Sequence, residues 1–141
     1  STFRSPKFKK MEAELRVHAS ELLKAVGLED VEDSRASSLP YGHQRKLEIA
    51  RALALAPKLL LLDEPAAGMN ADESKELVSF VKELKDRFDL TILMIEHHMD
   101  VVSSLCDHCT VLNFGETIAE GCAEDVKRDP KVITAYIGEE E

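Results

Sequence analysis

The sequence predicts an α/β fold, with parallel strands covered by helices on both faces and a C-terminal hairpin. Leu59-Leu60-Leu61-Leu62 and Leu90 to Ile95 are apolar runs of strand length, too continuous for a sheet with one wet face. A stretch of helical period lies between them, so strand, helix and strand alternate as in a covered parallel sheet. The first run ends in adjacent carboxylates, Asp63-Glu64, followed by Pro65. Open α/β sheets place their ligands at that carboxyl edge.

Each element has its own signal. From Lys7 to Val26, Phe8, Met11, Leu15, Leu22, Leu23 and Val26 recur at broadly helical spacing, and Gly27 supplies a C-cap. This helix reads as a surface-packed arm. Residues Leu28 to Ser38 are polar and small, as in a linker. A second helix is expected from about Gly42 to Leu55, ended by Ala56-Pro57. Its apolar face is Leu47, Ile49, Ala50, Leu53 and Ala54, and Arg45, Lys46 and Arg51 line another face. The strand Lys58 to Leu62 follows. A helix from Ala71 or Asp72 to Arg87 turns Leu77, Val78, Val81 and Leu84 inward, and Leu90 to Ile95 is the second buried strand. A short helix, Met99 to Leu105, precedes a hairpin in which Thr110 to Asn113 and Thr117 to Ala119 flank Phe114-Gly115-Glu116. Two short helices, near Ala123 to Arg128 and Lys131 to Ile137, complete the pattern.

Composition bounds the function. With 141 residues, 44% hydrophobic and 32% charged, the chain suits one globular domain with a real core. No apolar run approaches the roughly 18 residues that span a bilayer. A net charge of -9 argues against nonspecific nucleic-acid binding, which rests on neutralising phosphates with Lys and Arg. The basic residues gather at Arg4 to Lys10 and Arg45 to Arg51, and the acidic end Gly138-Glu139-Glu140-Glu141 reads as a solvated terminus. Three cysteines suit a reducing compartment better than a disulfide scaffold. Cys106-Asp107-His108-Cys109 has the spacing of half a zinc site but no second matching pair. Its place after a helix rather than at a helix N-terminus argues against a redox pair, so packing is the favoured reading.

The chemistry gathers in three segments. Nucleotide hydrolysis needs Mg²⁺ to offset phosphate charge and a group that orients or deprotonates water. An acid at a strand's last residue and another on the turn beyond it can divide that work: Asp63 as metal ligand, Glu64 as base. In isolation, the same pair could simply end a strand and cap the next helix. Upstream, Leu39-Pro40-Tyr41-Gly42-His43-Gln44-Arg45 opens a helix that continues Lys46-Leu47-Glu48-Ile49-Ala50-Arg51. A glycine at a helix start lets backbone N–H groups approach a phosphate. Downstream, Ile95-Glu96-His97-His98-Met99-Asp100 delivers a histidine to the same sheet edge. The two histidines with Asp100 could instead be metal ligands, or His97 could be purely structural.

Taken together, the segments resemble the ATP-binding subunits of ABC transporters, and the Tyr-Gly form followed by Leu-Glu-Ile-Ala-Arg resembles the branched-chain amino acid uptake ATPases in particular. The resemblance extends over almost the whole chain, including Asp129 to Gly138. It implies a Walker B strand ending in Asp63, which holds Mg²⁺, with Glu64 as catalytic base and His97 as the switch histidine that contacts the γ-phosphate. Leu39 to Leu53, which include Pro40, Tyr41, Gly42, His43 and Gln44, resemble the Leu-Ser-Gly-Gly-Gln signature and the helix it opens, a segment that meets ATP held by the opposite subunit. Pro40 replaces the serine, Tyr41 the first glycine and His43 the glutamine. Asn70 stands where the family has the aspartate of Gly-Leu-Asp, keeping hydrogen bonding but losing charge.

Within these residues there is no Gly-x-x-x-x-Gly-Lys-Ser/Thr phosphate loop. The resemblance therefore implies a partial P-loop NTPase fold lacking the phosphate-loop half. Residues 1–57 would form a helical subdomain portion with the signature, and residues 58–141 the C-terminal part of the ATPase core. The chain is expected to be a fragment, inactive alone, of a subunit that couples ATP hydrolysis to import, at the cytoplasmic face of the cell membrane. Its implied partners are a second ATPase subunit and membrane permeases, with no nucleic acid. In the family the phosphate-loop strand lies between the Leu90–Ile95 and Thr110–Asn113 strands. Without it, unpaired edges imply closure of the gap or self-association. The alternative is a standalone, non-catalytic interaction or regulatory module with the same fold.

Overall fold

The computed structural model describes residues 6–137. The acidic end from Gly138 and the first basic residue, Arg4, lie outside them. The chain divides into two compact units, Ser1–Leu60 and Leu61–Glu141. No helix among the described residues is long and apolar enough to cross a membrane.

In the first unit, α1 (Pro6–Ala25) buries only its C-terminal end. Phe8, Met11 and Leu15, read from spacing as the packed stripe, remain exposed. The helix closes as a Schellman motif. Gly27 takes φ +69°, its N–H reaches Lys24 O at 3.3 Å, and Leu28 N–H reaches Leu23 O at 2.8 Å. Leu28 is then buried with Leu22, Ala25 and Val26, the apolar contact that accompanies this cap. The linker forms two short 3-10 turns, Glu29–Val31 and Ala36–Ser38. Helix α2 (Tyr41–Leu53) buries Ile49, Ala50 and Leu53. Ala54, expected on that face, is exposed, because the helix ends before it and Ala56 turns to φ 47°.

The unit boundary runs through β1 (Leu59–Asp63). The crossover helix α3 (Ala71–Phe88) separates β1 from β2 (Thr91–Ile95), and the two strands pair in a two-stranded parallel sheet. The apolar runs predicted strands buried on both faces, and the structure corrects this. Leu60 and Leu62 are buried, whereas Leu61 is 65% exposed, Leu93 61% and Ile95 63%. Side chains alternate across a strand, so a strand covered on one face leaves every second leucine in solvent. Helix α3 buries Leu77, Val81 and Leu84, with Val78 at the margin.

Helix α4 (Met99–Leu105) leads to β3 (Cys109–Asn113) and β4 (Glu116–Gly121), an antiparallel hairpin with a register shift at Val111/Leu112. Phe114 (φ 48°) and Gly115 (φ 84°) form its turn. Positive φ at both central residues is the type I′ geometry that matches strand twist. β3 pairs with β4 and not with β2, so the described strands do not close the expected gap by pairing across it. Helices α5 (Ala123–Val126) and α6 (Pro130–Ile137) follow.

Asn70 begins α3 as a full capping box. Its side-chain oxygen accepts from Asp72 N and Glu73 N, each at 3.0 Å, and Glu73 Oε2 accepts from Asn70 N at 2.8 Å. Replacing Asn70 with Ala should cost about 1 kcal/mol in urea unfolding. Asn70→Asp, which keeps the acceptor and adds charge at the helix N-terminus, should be neutral or stabilising by up to about 0.5 kcal/mol.

Candidate active site

The acids lie at the carboxyl end of β1, as the sequence predicts. Asp63 is its last residue and is exposed. Glu64 then enters the left-handed region at φ 43°, a conformation that costs a non-glycine residue on the order of 1 kcal/mol or more. It is held there by Glu64 N–H to Ile95 O at 2.9 Å and by Ala67 N–H to Glu64 O at 3.0 Å. This left-handed turn takes Glu64 out of the alternating strand register that Asp63 ends. Pro65 and Ala66 are buried directly behind them.

His97, just past the end of β2, brings its Nδ1 within 3.7 Å of Glu64 Oε1, with both side chains more than half exposed. That separation is too long for a hydrogen bond, so each keeps its capacity for a third group. Asp63 offers a solvent-facing hard oxygen donor of the kind Mg²⁺ prefers.

Glu96 organises this edge. Its side chain has 0% exposure. Oε1 accepts Ala66 N–H at 2.9 Å, and Oε2 accepts His97 N–H at 2.9 Å, His98 N–H at 3.1 Å and the His98 Nδ1 at 2.8 Å. Burial alone would raise its pKa. The amide of Ala66, the His98 ring and the amides of His98 and His97 outweigh burial and hold it below the ordinary glutamate value. Sequence reasoning missed this residue; an acid at the end of an apolar strand was its only local signal.

Glu96, His97 and His98 place ligand-type atoms within 4.8 Å of one another. The Glu96 oxygens are already occupied by donors, so the cluster is a hydrogen-bonded one. Asp100, the acid read as a partner of these histidines, instead pairs with Lys127 Nζ at 2.7 Å. Cys106 and Cys109 have pKa values raised, first by burial, which disfavours thiolate chemistry.

The signature-like segment lies in the first unit. Pro40 precedes α2 and supplies no side-chain cap, while Gln44 Nε2 donates to Leu39 O at 2.7 Å. A Cβ on Gly42 would meet nothing within 4 Å, so the helix start has open space beside its backbone. Tyr41 OH accepts from Arg45 at 2.9 Å, and Arg45 also reaches Glu48 at 2.8 Å. Burial lowers the pKa of Arg45, and these two partners more than restore it. His43 Nδ1 and Arg45 Nε are buried without a hydrogen-bond partner. Such groups cost about 1–3 kcal/mol each when unsatisfied.

Strand-borne acids, a facing histidine at the neighbouring strand end and the crossover helix between them define an ABC-type ATPase fold. The chain has the fold of ABC ATPase domains and is similar to ATP-binding proteins of that family. A family model described as "ABC transporter" matches residues 2–67, and one described as "Branched-chain amino acid ATP-binding cassette transporter" matches residues 116–141. The chain is similar to the high-affinity branched-chain amino acid transport ATP-binding protein BraF of Pseudomonas aeruginosa, with 41% identity over 97% of this chain and 54% of BraF. It is 42% identical to LivG of Escherichia coli K12, over 96% of this chain and 53% of LivG. The crystal structure of the ADP conformation of MJ1267, an ATP-binding cassette of an ABC transporter, superposes with TM-score 0.81 and 37% identity, covering 89% of this chain and 51% of that one. The chain thus spans about half the length of these relatives.

Glu96 also sets a pH dependence. Its folded pKa is depressed, so its contribution to stability is present above the unfolded value and is lost as pH falls through the folded one. The urea stability difference between wild type and Glu96→Gln should be constant above about pH 5 and should shrink as pH drops through about 4 and below. A difference that grows on acidification would contradict the assignment.

Proposed function

We propose that this chain contributes the Walker B acids, switch histidine and signature segment of an ATP-binding subunit that powers import of branched-chain amino acids. The observation that supports this best is Glu64 facing His97 at 3.7 Å across two strand ends. Similarity to the transport proteins BraF and LivG supplies the substrate class. Residues 1–57 act as the helical subdomain portion and residues 58–141 as part of the ATPase core.

In this reading Asp63 holds Mg²⁺, and the metal, when bound with ATP, offsets charge on the phosphates. Glu64 accepts the proton of the attacking water. Its exposed carboxylate keeps lone pairs for this because the backbone amides around it are satisfied elsewhere. His97 donates toward the γ-phosphate and confines the water between itself and Glu64. Pro40, Tyr41, Gly42, His43 and Gln44 face the ATP of a second subunit. Asn70 keeps the helix cap but brings no charge to that interface. A second ATPase subunit and membrane permeases are the partners, at the cytoplasmic face of the membrane. An unpaired strand edge is also free for self-association.

Without a phosphate-loop lysine and its backbone cradle, residues 1–141 lack most of the stabilisation of the transferred phosphoryl group. This chain alone should release no phosphate from MgATP above background. Joined to a contiguous upstream segment carrying a Gly-Lys-Ser/Thr loop, it should turn over, and Glu64→Gln should then lower kcat by at least about 100-fold. Turnover by residues 1–141 alone that Glu64→Gln abolishes would refute the division of the site. Coding DNA with no such loop upstream would favour a non-catalytic module.

A further inference from the structure

The peptide joining His97 to His98 is held at both ends. Its carbonyl accepts the Tyr136 hydroxyl at 2.8 Å, and its N–H donates to Glu96 Oε2 at 3.1 Å. The preceding amide, His97 N–H, reaches the same carboxylate oxygen at 2.9 Å. The backbone on either side of the His97 Cα is therefore fixed, while its imidazole stays largely in solvent.

Tyr136 comes from α6, 39 residues further along the chain, within the stretch matched by the second family model. Its side chain is mostly exposed, so core burial does not explain where the hydroxyl points. The helix is anchored separately by Val132, which is buried. The Lys127–Asp100 ion pair ties the segment before α6 to the first turn of α4. The C-terminal segment thus grips both sides of the His98–Met99 junction.

We propose that Glu96 and Tyr136 are positioning residues for His97, and that the C-terminal helix thereby sets where that histidine stands relative to Glu64. With the flanking peptides pinned, φ and ψ of His97 are confined and only its side-chain torsions remain free. A histidine on a loose strand end would sample many directions. One on a clamped end is preorganised for a group lying between it and Glu64. The catalytic consequence rests on the ATPase reading; the clamp itself does not.

The test uses the full chain with isotopic labels. Tyr136→Phe removes one hydroxyl and keeps the ring. It should speed amide exchange at His98 by at least about tenfold and shift or broaden the His97 ring signals. Exchange at Val81 and Leu84 in α3 should stay at the wild-type rate, which establishes that the fold is intact. Glu96→Gln should move the same signals and, in addition, the Ala66 amide. Unchanged His97 ring signals and unchanged His98 exchange in Tyr136→Phe would overturn the clamp. In a form extended upstream and active toward MgATP, Tyr136→Phe should lower kcat with KM unaltered, and an unaltered kcat would overturn the positioning role. If the extended wild type shows no turnover, the ATPase reading fails, and the exchange measurement still decides the clamp.

Discussion

A buried carboxylate that fails to find partners is among the costliest features a fold can carry, and Glu96 is such a group with every oxygen engaged. Ala66, His97 and His98 supply its donors. Because one side chain binds the loop after β1 and the end of β2 together, neither can move without costing the carboxylate its donors. The neighbouring backbone accounting closes around it. Glu64 N–H goes to Ile95 O, Ala67 to Glu64 O, Met69 to Ala66 O, and Asn70 to the side chain of Glu73. Between β1 and the first turn of α3, the N–H groups of Glu64, Ala66, Ala67, Met69, Asn70, Asp72 and Glu73 are all bonded.

That rigidity divides labour within the site. The carboxylate that shapes it is fully buried, whereas Glu64 and His97 are more than half exposed. The side chains offered to a ligand are thus not the ones that hold the loops. The left-handed Glu64 is the point where this matters most. Its strain is tolerated because both of its backbone polar groups are bonded, and it turns the second acid out of line with the first. The open leucines of β1 and β2 tell a related story, since strands of this composition are normally covered on both faces.

Much of this was legible in local pattern. The helix Met99–Leu105 has the bounds its sequence suggests, and α3 differs by a residue, because both rest on spacing and capping that act within a few positions. The acids at the end of β1 and the histidine after β2 were legible for the same reason. Asn70 shows a partial reading. The resemblance set it at the position of a family aspartate, yet Asn70 and Glu73 also spell a capping box, and the structure uses them as one. The strands were misjudged because an apolar run states that a segment can be buried and does not say what covers it.

The sequence by itself determined the order of elements, their periodicity, the strand-end acids and the turn at Phe114-Gly115, since each follows from steric and hydrogen-bonding preferences of neighbouring residues. Tertiary structure alone decided which face of each strand stays open, that Asp100 pairs with Lys127 and that Tyr136 bonds the His97 carbonyl. It also decided that Glu96 bridges two loops, binding an amide 30 residues earlier in the chain. Those pairings join groups far apart in sequence. No local propensity encodes them, because their stability comes from burial and geometry that exist only once the chain has closed on itself.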